Sequence, residues 1–418
     1  MNRFYIPLLS FLLCGLVACE SSNDGVPEPY GAVPSEEQLA WYDMEMNAFI
    51  HFTINTFTDK EWGYGDESPA LFNPSELDTD PWMSVLDETG FSGTILTAKH
   101  HDGFALWPSA YTEHDIASSP YKDGKGDLVK EVSVAAKAHG LQFGVYLSPW
   151  DRNRADYGEE SYITYYRNQL KELFTGYGPV FEMWFDGANG GDGYYGGANE
   201  ERKIDRQNYY DWPTTLKMVD SMQPQVLFFS DAGPDLRWVG NERGIGGETH
   251  WNTITTDTLY AGKAGIEELL QSGTKNGKSW IPAEVNTSIR PGWFYHASED
   301  SLVRSPENLF ELYLTSVGRG STLLLNIPPD RRGLFHENDV ASLRGFRKIL
   351  DSVFAENLAE KATATATPVR GDKPIYAADK VLDGDAETYW ATNDGVTTGS
   401  LELSWDAPQT LNYISLQE

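Results

Sequence analysis

Three carboxylates in this chain stand where they could act on a sugar bond: Asp186, Glu242 and Glu284. Asp186 closes the apolar run Val180-Phe181-Glu182-Met183-Trp184-Phe185 and is followed by Gly187, so a buried strand ends by presenting an acid and then turns. An acid among aromatics is costly in a core, because a charge out of water needs a partner or a task. Beside rings that task suits a sugar, whose flat apolar faces stack on aromatics while the acid does the chemistry. Glycoside hydrolysis needs two carboxyls. One attacks the anomeric carbon or activates water; the other, with a raised pKa, protonates the leaving oxygen. Asp186, on a rigid strand, is the natural nucleophile. Glu242 follows Gly240-Asn241 in a loop-like setting, and Glu284 follows Trp280-Ile281-Pro282; the two are rivals for the acid. A salt bridge to a nearby base such as Arg290 would instead make Glu284 a support.

Other strand ends share this design. They give His51 in Phe49-Ile50-His51-Phe52, then Lys99-His100-His101-Asp102-Gly103-Phe104, Tyr146 in Val145-Tyr146-Leu147-Ser148-Pro149-Trp150, and Leu325-Asn326. Adjacent strand residues point to opposite faces, so His100 and His101 cannot both bind one metal without a bend. There is no HExxH, and a sugar site needs no cofactor for catalysis.

The elements that must position these residues run from about residue 40 to 350. Strand-like runs at 48–50, 94–97, 142–147, 180–185, 226–229, 280–282 and 323–325 alternate with helical patterns at 127–139, 162–174, 207–222 and 307–317. That alternation predicts an α/β architecture around a parallel sheet. No glycine-rich phosphate loop follows the first strand, which argues against a dinucleotide fold. Polar and aromatic residues at the strand ends instead predict a (β/α)8-like TIM barrel with its site at the mouth.

The 418 residues suffice for a barrel and an appendage. Aromatics make up 13% of the chain, with 13 Trp and 22 Tyr, which fits carbohydrate recognition. The net charge is −30, from 62 acids against 32 bases, and such a surface excludes nucleic acid as a partner. The two cysteines are Cys14 and Cys19, so the mature chain has no disulfide, thiol nucleophile or cysteine zinc site. Phe4 to Val17 is apolar but too short for a stable membrane span. Leu16-Val17-Ala18-Cys19 resembles a bacterial lipobox. Residues 1–19 then form a lipoprotein signal peptide with Cys19 lipidated, and 20–39 a polar tether. This places the protein in a bacterial cell envelope, held to the membrane by lipid in the periplasm or on the outer surface.

The segments Phe49-Ile50-His51-Phe52 with Glu61-Trp62-Gly63, Lys99-His100-His101-Asp102-Gly103-Phe104, Trp184-Phe185-Asp186-Gly187, Gly233-Pro234-Asp235 with Arg237 to Glu242, and Ser288 to His296 together resemble glycoside hydrolase family 29, the retaining α-L-fucosidases. The resemblance implies a somewhat irregular barrel over residues 40–355 that releases L-fucose from fucosylated oligosaccharides or glycoconjugates. It implies that Asp186 forms a glycosyl-enzyme intermediate, and that His51, Glu61, Trp62, His100, His101, Tyr146 and Trp184 hold the fucose hydroxyls and ring. Trp293 of the Arg-Pro-Gly-Trp segment joins that set. The Gly-Asn-Glu and Arg-Pro-Gly-Trp segments resemble the subgroup acting on α-1,3 and α-1,4 linkages, in which Glu242 matches the acid/base, with Glu284 the alternative. The Gly- and Tyr-rich stretch between Asn189 and Arg206 is longer than the family minimum and could shape the leaving-group side.

Residues 356–418 resemble the start of a discoidin-like β-sandwich, incomplete because a full one needs about 100 residues. There Asp383, Asp385 and Thr388 match positions that help hold a structural Ca²⁺. The competing function is a catalytically inactive, glycan-binding surface lipoprotein. It would have lost a carboxylate, whereas both are present.

Overall fold

The computed structural model describes residues 25–417, so the leader and Cys19 lie outside the described residues. Tyr30–Ala355 forms one compact unit, and the described residues of 25–29 and 356–417 form another.

In the first unit eight parallel strands close a barrel in chain order: β1 (Met46–Ile50), β2 (Gly93–Lys99), β3 (Gln142–Leu147), β4 (Glu182–Trp184), β5 (Leu227–Ser230), β6 (Leu236–Trp238), β7 (Ala283–Ser288) and β8 (Thr322–Asn326). The period of two along each strand sorts side chains between two cores. Outward residues such as Met46, Ala48, Leu96, Ala98, Val145, Met183, Val285 and Leu323 pack in the core shared with the helices. Inward residues Phe49, Ile95, Tyr146, Trp184, Phe229, Leu236 and Leu324 fill the barrel.

Below this aromatic layer, toward the strand N-termini, the barrel floor is polar. Asn47, Glu182, Glu284 and Thr322 are all buried there. Thr322 pairs in register with Glu284, and Asn47 with Gly93. A Cβ on Gly93 would lie 2.8 Å from Asn47 Oδ1, so glycine makes room for the amide.

The helical expectations hold with moved ends: 162–174 extends to Glu160–Gly176, and 307–317 shifts to Pro306–Ser316. The helix at Leu128–Ala138 starts where the Asp127 side chain accepts from Lys130 N, and buries Leu128, Val129, Val132, Ala135 and Ala136. The pattern at 207–222 shortens to Trp212–Asp220, beginning at a proline in the first turn. A helix at Glu337–Val353 was not anticipated.

Two strand assignments differ from the sequence reading. Residues 280–282 do not form a barrel strand: Ser279–Trp280 pairs antiparallel with Thr253–Ile254, and the barrel resumes at Ala283. The β7 sequence Ala-Glu-Val-Asn-Thr-Ser hides its strand because its alternate positions face a polar interior. β6 follows β5 after residues 231–235 alone, with no helix between them.

In the second unit the expected β-sandwich is not seen. The described residues there form one two-stranded antiparallel sheet, Thr363–Thr367 against Ser400–Ser404, and several 3-10 turns.

Candidate active site

Asp186 sits two residues beyond the end of β4. Phe185 N donates to Phe229 O at 3.0 Å and keeps the chain on the barrel wall to the last residue before the acid. Asp186 Oδ1 accepts from Ala188 N at 2.7 Å and Oδ2 from the Tyr146 hydroxyl at 3.0 Å. His101 Nε2 lies 3.9 Å from Oδ2, and a quarter of the Asp186 side chain, 25%, faces solvent. Burial pushes the carboxyl up, and the two donors oppose that push. Gly187 is required because a Cβ there would run into the carboxyl of Asp231. Asp231, at the end of β5, was missed in the sequence although it follows the same strand-end pattern. Its Oδ2 accepts from Gly262 N at 2.7 Å, and burial, helped by the Asp186 charge, pushes it to about 6.

The histidines gather because the chain leaves β2 at Lys99 and turns, with Gly103 N donating to His100 O at 3.0 Å, so the alternation of a regular strand does not apply to them. The His100 and His101 rings then lie 4.1 Å apart. His100 stacks on Tyr146, while His101 packs against Trp62 and Trp150. Among the described residues no three His, Cys, Asp or Glu side chains are grouped as a metal cage. Burial holds His51 and His101 down to about 3 and also holds His100 well below its ordinary value, so all three are neutral near pH 7.

Their tautomers follow from the neighbours. Asn326 Nδ2 donates to Trp293 O at 2.8 Å, so its Oδ1 faces His51 Nδ1 at 2.8 Å and the proton is on Nδ1. The Ser148 hydroxyl donates to Trp150 O, so its oxygen accepts from His101 Nδ1 at 2.7 Å. Both rings therefore present a bare Nε2, an acceptor suited to a sugar hydroxyl.

Glu61 has a second occupation. It accepts from Trp293 N at 2.8 Å, Phe294 N at 3.0 Å and His296 Nε2 at 2.8 Å, and so clamps the loop after β7. Gly292 packs against it; a Cβ there would lie 2.6 Å from Glu61 Oε1. That clamp places the Trp293 ring 5.2 Å from the His51 ring, and Trp293 Nε1 donates to Glu242 Oε2 at 3.4 Å. Glu242 thus reaches the same mouth on the loop after β6. Although the residue is exposed, partial burial pushes its carboxyl up, the charges of Asp186 and Glu61 add to the push, and the Trp293 bond opposes it.

Glu284 is placed elsewhere. It is the second residue of β7, 1% exposed, with Oε1 accepting from Trp184 Nε1 at 2.9 Å in the barrel interior. It is not a strand-end acid, because β7 starts at Ala283. Arg290 does not bind it; that guanidinium pairs with Asp300 and Asp339. Trp184 is 6% exposed, stacked 4.2 Å from Phe229, and belongs to the layer beneath the pocket. Trp62 is 53% exposed and stands on the rim.

The stretch between Asn189 and Arg206 contains a hairpin, Gly191–Gly193 against Glu200–Arg202. Arg152 fastens it: Nη2 meets Asp192 Oδ1 at 3.0 Å and Nε donates to Asp192 O at 2.8 Å. Tyr194 N donates to Tyr64 O, so the loops after β1, β3 and β4 are tied together. In the second unit the Thr388 hydroxyl and Lys380 Nζ both bind Asp383, at 2.8 and 3.2 Å.

A carboxyl bound by two donors at a barrel strand end, facing a second carboxyl biased toward its protonated form, is equipment for cleaving a glycosidic bond. The barrel is that of a glycoside hydrolase. The Alpha-L-fucosidase family profile matches residues 28–352, and the chain belongs to that family, glycoside hydrolase family 29, whose members are α-L-fucosidases.

The chain is 40% identical to Alpha-L-fucosidase 1 of Arabidopsis thaliana over 94% of its own length and 75% of that relative's. It is similar to the crystal structure of a glycoside hydrolase 29 family member from an unknown rumen bacterium, with 54% identity and a TM-score of 0.78, over 81% of this chain and 60% of that one. A Ruminococcus gnavus GH29 fucosidase in complex with fucose aligns over 91% of this chain and 81% of its own, with 31% identity and a TM-score of 0.79.

Proposed function

We propose that the protein is an exo-acting, retaining α-L-fucosidase working by double displacement. Asp186 attacks the anomeric carbon of a terminal fucose and Glu242 donates its proton to the leaving oxygen. Glu242 then takes a proton from water, whose oxygen displaces Asp186, and fucose leaves with its configuration retained. The observation that carries this reading is the placement of the two carboxyls: Asp186 is fixed at the barrel mouth by donors from Ala188 N and the Tyr146 hydroxyl, and Glu242 reaches the same mouth against the Trp293 indole. The bare Nε2 atoms of His51 and His101 accept from fucose hydroxyls, and Trp62 and Trp293 wall the ring. The Gly240-Asn241-Glu242 and Arg290-Pro291-Gly292-Trp293 segments support α-1,3 and α-1,4 linked fucose as the substrate. The Leu16-Val17-Ala18-Cys19 segment supports a lipid anchor in a bacterial envelope.

Asp186→Asn is expected to cut turnover of an aryl α-L-fucoside by roughly 10³-fold or more with the fold intact. Near-normal hydrolysis would remove Asp186 from the role. Azide restores turnover to Glu242→Ala on a substrate with a good leaving group. Rescue of Glu284→Ala alone would reverse the assignment of the acid. The anomer first formed, followed by proton NMR, reports retention or inversion.

A further inference from the structure

Glu182 and Glu284 are the two acids of the barrel floor, 0% and 1% exposed. Neither forms an ion pair among the described residues. Glu182 Oε2 accepts from Trp41 Nε1 at 2.7 Å, and Glu284 Oε1 from Trp184 Nε1 at 2.9 Å. Their other oxygens, Glu182 Oε1 and Glu284 Oε2, have no donor among the other described residues. The two carboxyls are within hydrogen-bonding reach of each other. Two carboxylates own no donor between them, so this contact is a bond only if one is protonated; two bare charges here would have nothing to compensate them. The other polar interior groups at this level, Asn47 and Thr322, are uncharged.

Trp184 links this floor to the mouth. Its indole N–H is fixed by Glu284, and its ring stacks on Phe229 at 4.2 Å and on Tyr146 at 5.4 Å. The Tyr146 hydroxyl donates to Asp186. Asp186 itself follows two residues after Trp184, the last residue of β4.

We propose that Glu182 and Glu284 share one proton and act as positioning residues, fixing Trp184 and through it Tyr146 and Asp186. This rests on Asp186 as the attacking group. Such a device lets an acid-lined interior carry aromatic walls in one orientation without a cation, because the shared proton supplies the missing donor.

The test uses the full chain and an aryl α-L-fucoside. Glu284→Gln keeps an acceptor for Trp184 and offers Glu182 an N–H; Glu284→Leu removes both. The leucine variant is expected to lose about tenfold to hundredfold in kcat with KM within about twofold, while the glutamine variant stays within about threefold of wild type. If the leucine variant does not fold, Glu284→Asn, one methylene shorter, removes the same reach. An infrared difference spectrum of wild type minus Glu284→Gln at neutral pH is expected to show one protonated carboxyl band.

Wild-type kcat in the leucine or asparagine variant would overturn the proposal, as would an equal loss in the glutamine variant or the absence of that band. Azide rescue of Glu284→Ala would also overturn it, by making Glu284 the acid/base. Failure of the Asp186 assignment is read separately, from turnover by Asp186→Asn.

Discussion

Tyr146 supplies one of the two hydrogen bonds on Asp186, and its worth can be stated. A bond to a charged group contributes about 1.5–3 kcal/mol, which corresponds to roughly tenfold to hundredfold in kcat for Tyr146→Phe. The phenol also opposes the upward push of burial on the Asp186 carboxyl. Without it the carboxyl rises further, so the acidic limb of the kcat/KM profile moves to higher pH; a pH–rate series with an unmoved acidic limb would contradict this bond. At this scale the sequence is informative where chemistry and position coincide. Asp186 stands out because an acid ending an apolar run needs a reason. Glu242 stands out only weakly, since its loop has no periodicity, and its link to the site runs through the Trp293 indole. Glu284 misleads because Pro282 resembles the end of a strand, whereas β7 begins just after it. Glu61 shows the remaining gap. Nothing in Glu-Trp-Gly tells that its carboxylate is bound by a loop more than two hundred residues away.

Elements hold these residues through contacts that no local pattern announces. Lys99, the last residue of β2 before the two histidines, points out of the barrel and meets Asp151 Oδ2 and Gln169 Oε1, each at 2.9 Å. Both ends of the Lys99–Asp151 pair are fully buried. Asp151 Oδ1 in turn accepts from Asn153 N and Arg154 N, so one lysine anchors the loop that bears Trp150 and Arg152. Lys99→Met leaves a buried carboxylate without its cation and is expected to cost about 3–5 kcal/mol in urea unfolding. Lys99→Met with Asp151→Asn removes the stranded charge and should lose clearly less. If the double variant loses as much as the single, the charge is not what the lysine compensates. Most barrel strands were legible because apolar runs of strand length mark walls covered on both sides. β6 and β7 were not. β6 is three residues long and follows β5 almost directly, and β7 turns Glu284, Asn286 and Ser288 toward a polar interior. The bend that brings His100 and His101 together is the turn after β2, closed by the Gly103 N to His100 O bond.

Across the whole catalytic unit, burial holds two sets of groups neutral, and the two sets tie stability to pH with opposite sign. Asp102 and Glu284 are pushed to about 7, and Asp231 and Asp235 to about 6, mainly by desolvation. His51 and His101 are held to about 3, with His100 and His114 also lowered. A raised carboxyl keeps a proton that the unfolded chain has released, so its effect is a loss of stability as pH climbs from its ordinary value to its folded one. A buried neutral histidine lacks a proton that the unfolded chain holds, so stability rises with pH up to about 6.5. Between about 4.5 and 6.5 the two sets oppose each other and the wild-type profile is flattened. Above 6.5 the histidines stop contributing, and the carboxyls near 7 are left to lower stability alone. Each unmatched proton is a slope of about 1.4 kcal/mol per pH unit. Glu284→Gln removes one carboxyl from this balance and leaves every histidine. Its stability relative to wild type is therefore expected to rise from pH 5 to pH 7, and to level off on either side of that window. Urea unfolding of the two proteins across pH 4–8 measures that difference directly. A difference that stays constant through the window would mean that Glu284 releases its proton at the same pH folded and unfolded, which its burial against a second acid forbids.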